Sequence, residues 1–267
     1  MSWKINQPIV TNLSSNAPVN PQLQLNNVSL QSKIGFQPIL QEISLEVQPG
    51  DRIALIGISG AGKTSLLRLL NRLNSPSNGE IFFEGQNYTQ IPVVQLRQQI
   101  TFVLSDAKLL GMTVREAIIY PLQLRGLSEH DISQRLTQWT ERLEIPSDWL
   151  NRTEVQLSTG QRQKIAITRA LVIQPQILLL DEPITALDVA SQKKILNILQ
   201  TLSSDGMTVI FATHHLDLIQ DWGNRLWYLL QGKLVQDDLT RQVDWQALKQ
   251  QFTITQQQDI QEWESED

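Results

Sequence analysis
Leu23, Leu25, Val28 and Leu30 give a strand-like alternation, and the pattern predicts that folded sequence begins near Gln22. A second strand is predicted over 43–47. After the Pro49-Gly50-Asp51 turn, the apolar run 52–56 reads as a short strand entering a glycine-rich loop, and residues 65–73 then carry apolar positions at helical spacing. Residues 75–79 read as a loop, 80–84 as an edge strand before Gly85, and 100–104 as a further strand. From 113 to 149 the period is largely helical, with breaks predicted at Pro121, Gly126 and Pro146. Beyond it the pattern predicts a helix over 160–172, a buried strand over 177–180, a helix over 189–202 and a strand over 208–212. Strands over 225–230 and 233–236 close the fold. Alternating strands and helices of this kind predict an α/β class.

Composition narrows the picture. A chain of 267 residues is long enough for one large α/β domain, or for a core with a small subdomain. The absence of cysteine excludes a disulfide framework and a thiolate metal site, and fits a reducing compartment. A net charge of −5 argues against a surface built to neutralise nucleic-acid phosphates, so no nucleic-acid partner is expected. No stretch approaches the roughly 20 consecutive apolar residues that a membrane-spanning helix needs. Residues 1–21, rich in Asn, Ser and Pro and without an apolar signal core, are expected to be a flexible leader, with Trp3 and Ile5 as its docking candidates. The Gln-rich tail 239–267 is expected to form a short helix and then become disordered, and Trp245 and Trp263 read as packing anchors. A tail of that length is expected to leave no room for a large regulatory domain, which disfavours importers with such extensions.

Two motifs carry chemistry. Gly57-Ile58-Ser59-Gly60-Ala61-Gly62-Lys63-Thr64 fits the phosphate-loop pattern G-x-x-x-x-G-K-[ST], lying between a predicted strand and a predicted helix that continues through Ser65. Its glycines let backbone N–H groups turn inward around phosphates, and the helix start adds its positive dipole end. Lys63 is expected to reach the β- and γ-phosphates of a nucleotide, and the Thr64 hydroxyl to ligate magnesium. Ile177-Leu178-Leu179-Leu180 runs straight into Asp181-Glu182, which describes a buried parallel strand whose carboxyl end opens on a ligand crevice. Asp181 is placed to hold magnesium, directly or through water, and Glu182 to orient and deprotonate the attacking water.

Leu157-Ser158-Thr159-Gly160-Gln161 precedes the acidic strand and resembles the Leu-Ser-Gly-Gly-Gln signature of ATP-binding cassette (ABC) ATPases. The ordered motifs resemble that family across residues 22–236. The resemblance implies a P-loop NTPase core of ABC type with a mostly parallel sheet, an N-terminal antiparallel β subdomain, and a helical subdomain (105–156) inserted in an ATPase domain spanning 22–238. It implies a head-to-tail dimer in which the signature meets the phosphate loop of a second cassette. Ser158 then offers a hydroxyl and Gly160 a close backbone approach to the partner's nucleotide. Thr185-Ala186-Leu187-Asp188 resembles the D-loop that crosses the dimer axis, with Asp188 its acidic member. His214 resembles the switch histidine that contacts the γ-phosphate, and its spacing from a strand end favours it over His215.

Three positions depart from the family pattern. Ser105 stands where a glutamine usually ligates magnesium and senses the transmembrane partner; serine is too short to reach that atom but long enough to hold a bridging water. Ile34 stands where an aromatic residue usually stacks on adenine. Phe36, two residues on, either takes the base or anchors the loop. Thr159 places a β-branched side chain where glycine is usual. The reading is an ATP- and magnesium-dependent ATPase subunit of an ABC transporter, paired with a second cassette and with separate transmembrane permease subunits. It would be peripheral on the cytoplasmic face of a membrane, such as a bacterial inner membrane. The rivals are a soluble ABC ATPase without a transporter partner and a weakly hydrolytic regulatory subunit.

Overall fold
The computed structural model describes residues 20–32 and 37–266, with side chains described to residue 257. Most of the expected leader, together with Ile34, Phe36 and the side chain of Trp263, lies outside the described residues. In chain order, β1 (Leu23–Gln31) and β2 (Pro38–Val47) form a hairpin, and β3 (Arg52–Ile56) leads into α1 (Lys63–Leu70). Next come β4 (Asn78–Phe83), β5 (Gln86–Asn87), α2 (Val93–Gln99) and β6 (Ile100–Val103). Helices α3 (Val114–Leu124), α4 (Glu129–Arg142) and α5 (Thr159–Leu171) precede β7 (Ile177–Asp181), α6 (Val189–Ser204), β8 (Thr208–Thr213) and α7 (Leu216–Ile219). The chain closes with β9 (Arg225–Leu230), β10 (Lys233–Leu239) and α8 (Trp245–Glu266).

An antiparallel sheet has the order β2-β1-β4-β5, and a second sheet the order β10-β9-β3-β8-β7-β6. In the second sheet β9, β3, β8, β7 and β6 run parallel and β10 pairs antiparallel with β9. Its central strands read as continuous apolar runs because both faces are covered. Alternate residues divide between two cores, as the two-residue period of a strand requires. Ile53, Leu55, Leu179 and Ile210 pack with Leu66, Leu67, Leu69 and Leu70 of α1 and with Leu23, Leu25 and Val28 of the antiparallel sheet. Ala54, Ile56, Leu178, Leu180, Val209 and Phe211 face the other way, onto Ile165 and Ala166 of α5 and Ile195 and Leu199 of α6. Ile118, Leu136 and Trp139 of the helical segment between β6 and α5 belong to this second core, so that segment shares it.

Three elements differ from the hydrophobic pattern. No break occurs at Pro121: α3 runs through it, with Val114, Ala117, Ile118 and Leu122 buried and a Thr113–Glu116 capping box at its start. Burial of that face offsets the missing hydrogen bond to the Ala117 carbonyl. The pattern does not announce α2, in which Leu96 is the buried residue and no period develops. The tail helix is not short. Instead α8 extends to Glu266, anchored by Leu248 and Phe252 in the core and by half-buried Trp245.

Leu179 is fully buried between Phe102 of β6 and Ile210 of β8. Leu179→Ala is expected to lower unfolding free energy by about 2–5 kcal/mol. Exposed Val94→Ala should stay within about 0.5 kcal/mol. Urea denaturation of both variants checks the two-core reading.

Candidate functional site
The phosphate loop leaves β3 at a position where only glycine fits. A Cβ on Gly57 would lie 2.5 Å from the Leu229 carbonyl oxygen of neighbouring β9. Gly62, the N-cap of α1, has φ +103° and sits against Leu40 and the Ile39 carbonyl of β2, so the loop is held between the two sheets. Lys63 follows as the first helical residue. Its Nζ donates to the carbonyls of Gly57 at 2.6 Å and Ile58 at 3.0 Å, folding the side chain back over the loop. Burial lowers the Lys63 pKa, and the charges of Glu182 and Asp181 partly offset that shift.

β7 brings the acidic pair to the same place. The Thr64 hydroxyl donates to Oδ2 of Asp181 at 2.8 Å, joining the start of α1 to the end of β7. Asp181 is buried, which raises its carboxyl pKa; the Glu182 charge adds to the rise, while the Thr64 hydrogen bond, Lys63 and Arg68 oppose it. Glu182 turns the chain out of the strand with φ +46°, and its N–H donates to the Ala212 carbonyl of β8 at 3.0 Å. Its carboxylate is held at both oxygens. Nδ1 of His214 lies 2.7 Å from Oε1, while the hydroxyls of Thr213 and Thr185 donate to Oε2 at 3.2 Å and 3.3 Å. The geometry separates the two adjacent histidines: His214 faces Glu182, and His215 is the N-cap of α7.

Residues 58–65 line a cleft of about 550 Å³ together with Ser105, Asp181, Glu182 and His214. Ser105 therefore shares the cleft wall with the acidic pair. Sequence reasoning missed Ile39, Phe252 and Gln256, which complete the wall. Nothing local marks Phe252 or Gln256, because α8 reaches the cleft only through tertiary packing. Thr213 was passed over although it directly precedes His214, and Thr185 was read only as the first residue of the D-loop segment.

The signature residues are elsewhere. Leu157, Ser158, Thr159, Gly160, Gln161 and Asp188 are absent from this cleft's wall. Ser158 is the N-cap of α5 in a reciprocal capping box with Gln161: its Oγ accepts from the Gln161 N–H, leaving its own proton free. The Thr159 hydroxyl accepts from Arg162. For Gly160 the close approach is to the chain itself, since a Cβ there would lie 2.5 Å from the Ala186 carbonyl oxygen. That contact locks the start of α5 to the turn that follows Glu182. Asp188 caps α6 through the N–H and hydroxyl of Ser191, and those hydrogen bonds lower its pKa.

Known proteins resemble this chain in sequence and in fold. The family model described as ABC transporter matches residues 40–185. The histidine/lysine/arginine/ornithine transport ATP-binding protein HisP of Salmonella typhimurium is 34% identical over 235 residues, which cover 82% of this chain and 91% of that protein. The methionine import ATP-binding protein MetN of Francisella tularensis is 36% identical over 203 residues, covering 74% of this chain and 58% of MetN. Among solved structures, the dimeric post-hydrolysis state of the ATP-binding cassette MJ0796 bound to ADP and Pi superposes with a TM-score of 0.75 at 28% identity, covering 83% of this chain and all of that one.

The buried Asp181 carboxyl has a pH consequence. Its folded pKa lies above the ordinary value of about 3.9, so stability is fullest below that value and is lost as pH rises through the folded pKa. Asp181→Asn removes this penalty, and the new amide oxygen still accepts from Thr64. The variant is expected to melt higher than the parent near pH 7.5 and to show no gain near pH 3, at roughly 2–4 °C per kcal/mol relieved. Thermal denaturation across pH checks it.

Proposed function
The chain belongs to the ABC transporter family and is an ATPase of that family; we propose that it is the ATP-binding and ATP-hydrolysing subunit of a transporter, acting as one half of a cassette dimer. The observation that carries the reading is the Glu182 carboxylate, held between His214 and two threonine hydroxyls on the wall of the cleft that also contains Lys63 and the Thr64–Asp181 pair. ATP binds with its phosphates in the loop 57–64, and Lys63 exchanges the Gly57 and Ile58 carbonyls for phosphate oxygens. The Thr64 hydroxyl and Asp181 carboxylate are hard oxygen donors already in contact, which suits magnesium. That ion would neutralise charge on the β- and γ-phosphates. Glu182 takes the proton of a water whose oxygen bonds to the γ-phosphorus. The bond from that phosphorus to the bridging oxygen breaks, and ADP leaves with the electron pair.

The position of the signature supports a second cassette. Ser158 keeps a free hydroxyl proton at a helix N-terminus, yet none of residues 157–161 lines the chain's own cleft, so their nucleotide would be the partner's. Closure on ATP and reopening after hydrolysis form the working cycle. Among the described residues no helix is long and apolar enough to cross a membrane. A groove of about 440 Å³ between β6 and α3, lined by Phe102, Leu104, Leu110 and Tyr120, supports docking to separate permease subunits at the cytoplasmic face. Leu110 at its rim is 75% exposed. Similarity to the methionine import protein MetN favours the importer class, of which the transported solute would be read by other subunits.

Ser105 favours a second reading, a slow regulatory ATPase, because it gives the cleft wall a short hydroxyl where the family pattern has glutamine. The readings separate by mutation. Glu182→Gln is expected to lower ATP turnover by at least ~100-fold and to accumulate the ATP-bound dimer; equal rates in parent and variant would remove Glu182 from the chemistry. If the short side chain is what slows the site, Ser105→Gln raises turnover or magnesium affinity by roughly 10- to 100-fold. Steady-state ATPase assays at graded magnesium, with size-exclusion chromatography, read both.

A further inference from the structure
We infer that Thr213 is a positioning residue for the hydrolytic carboxylate, fixing the plane of the Glu182 carboxyl group so that its free oxygen faces the water. The inference rests on Glu182 being the base. Thr213 ends β8, is 1% exposed, and stands in register with Ile56, the last residue of β3 before the phosphate loop. Its hydroxyl accepts the His215 N–H at 3.1 Å. An N–H has nothing to accept with, so the single hydroxyl proton of Thr213 is left for Oε2 of Glu182, 3.2 Å away. The donor is thus oriented by the backbone that carries His214. Thr185, the other hydroxyl on Oε2, sits on an exposed turn after β7, and its hydrogen bond depends on where that turn lies. The Thr213 bond is built into the sheet.

A carboxylate gripped at one oxygen retains one direction for the other. Oε1 is the atom paired with His214 in this structure. When His214 turns to a nucleotide, as its resemblance to the switch histidine implies, Oε2 stays held by Thr213 and Oε1 is freed as the proton acceptor. Without the Thr213 hydroxyl only Thr185 holds Oε2, the carboxylate plane turns more freely about the Cγ–Cδ bond, and an oxygen faces the water for less of the time. Substrate affinity is untouched, because Thr213 is not on the cleft wall. The rate of the chemical step falls.

The test is single-turnover hydrolysis of γ-labelled ATP by excess full-length chain, which resolves slow rates, for the parent, T213V, T213S and E182Q. T213V conserves shape and removes the hydroxyl. It is expected to lower the rate roughly 10- to 100-fold with ATP affinity within about twofold of the parent. T213S, which restores the donor, should recover to within about threefold. A T213V rate within about twofold of the parent, or a T213S rate as low as that of T213V, overturns the inference. If E182Q hydrolyses ATP like the parent, the assignment of Glu182 falls and this inference falls with it; an inactive E182Q beside a fully active T213V removes only the role of Thr213. Should T213V fail to fold, T213C takes its place as a variant of similar size and weak donor strength, with the same expected loss and the same overturning result.

Discussion

The register among β3, β8 and β7 is the constraint on which the site depends. Ile56 is paired with Thr213, and Ala212 with Asp181, so three strands end level at one edge of the parallel sheet. The phosphate loop, the His214 segment and the Asp181-Glu182 pair leave those three ends and have no other reason to meet. A slip of one residue would turn every side chain of a strand to the opposite face. Both faces are buried, so such a slip would force Ile53 and Leu55 out of one core and Ala54 and Ile56 out of the other. Hydrophobic packing on two sides thereby sets the positions of polar groups at the strand ends.

Those polar groups are arranged at a cost to the free chain. A buried carboxyl at Asp181, a buried ammonium at Lys63 and a non-glycine residue at positive φ in Glu182 each disfavour the folded state taken alone. Each is partly compensated inside the site: Thr64 donates to Asp181, two loop carbonyls accept from Lys63, and the Glu182 N–H is satisfied by Ala212. The compensation uses weak, neutral partners that a charged polyphosphate, and the proposed divalent cation, would replace. This suits a cleft that must bind and release nucleotide repeatedly.

Coupling between separate sites follows from one close contact. Gly160 at the start of α5 packs on the Ala186 carbonyl, and Ala186 lies beside Thr185, whose hydroxyl reaches Glu182. The surface proposed to meet a partner's nucleotide is therefore tied to the carboxylate proposed as the base. Packed contacts of this kind have few alternative arrangements, so movement of α5 against a second cassette is passed to the turn after β7.

Strand and helix identities were largely legible because they follow local periods: β9 begins and ends where its apolar run does, and β3, β7 and β8 agree with the pattern to within a residue. The phosphate loop and the acidic strand end were legible as cleft-lining segments too, since each is a run of residues at fixed short spacings. Local patterns failed where packing outweighed propensity, as in α3 passing through Pro121 and in α8 continuing past a short helix. Other features were decided only by tertiary structure: the Ala186 carbonyl as the neighbour of Gly160, the Thr213 hydroxyl on Glu182, and Phe252 at the cleft wall. The sequence by itself determined which chemical groups exist and which elements carry them, because those depend on hydrogen bonding and burial over a few residues. Which groups touch was left to the register of parallel strands, whose partners are distant in sequence and meet only when both cores close.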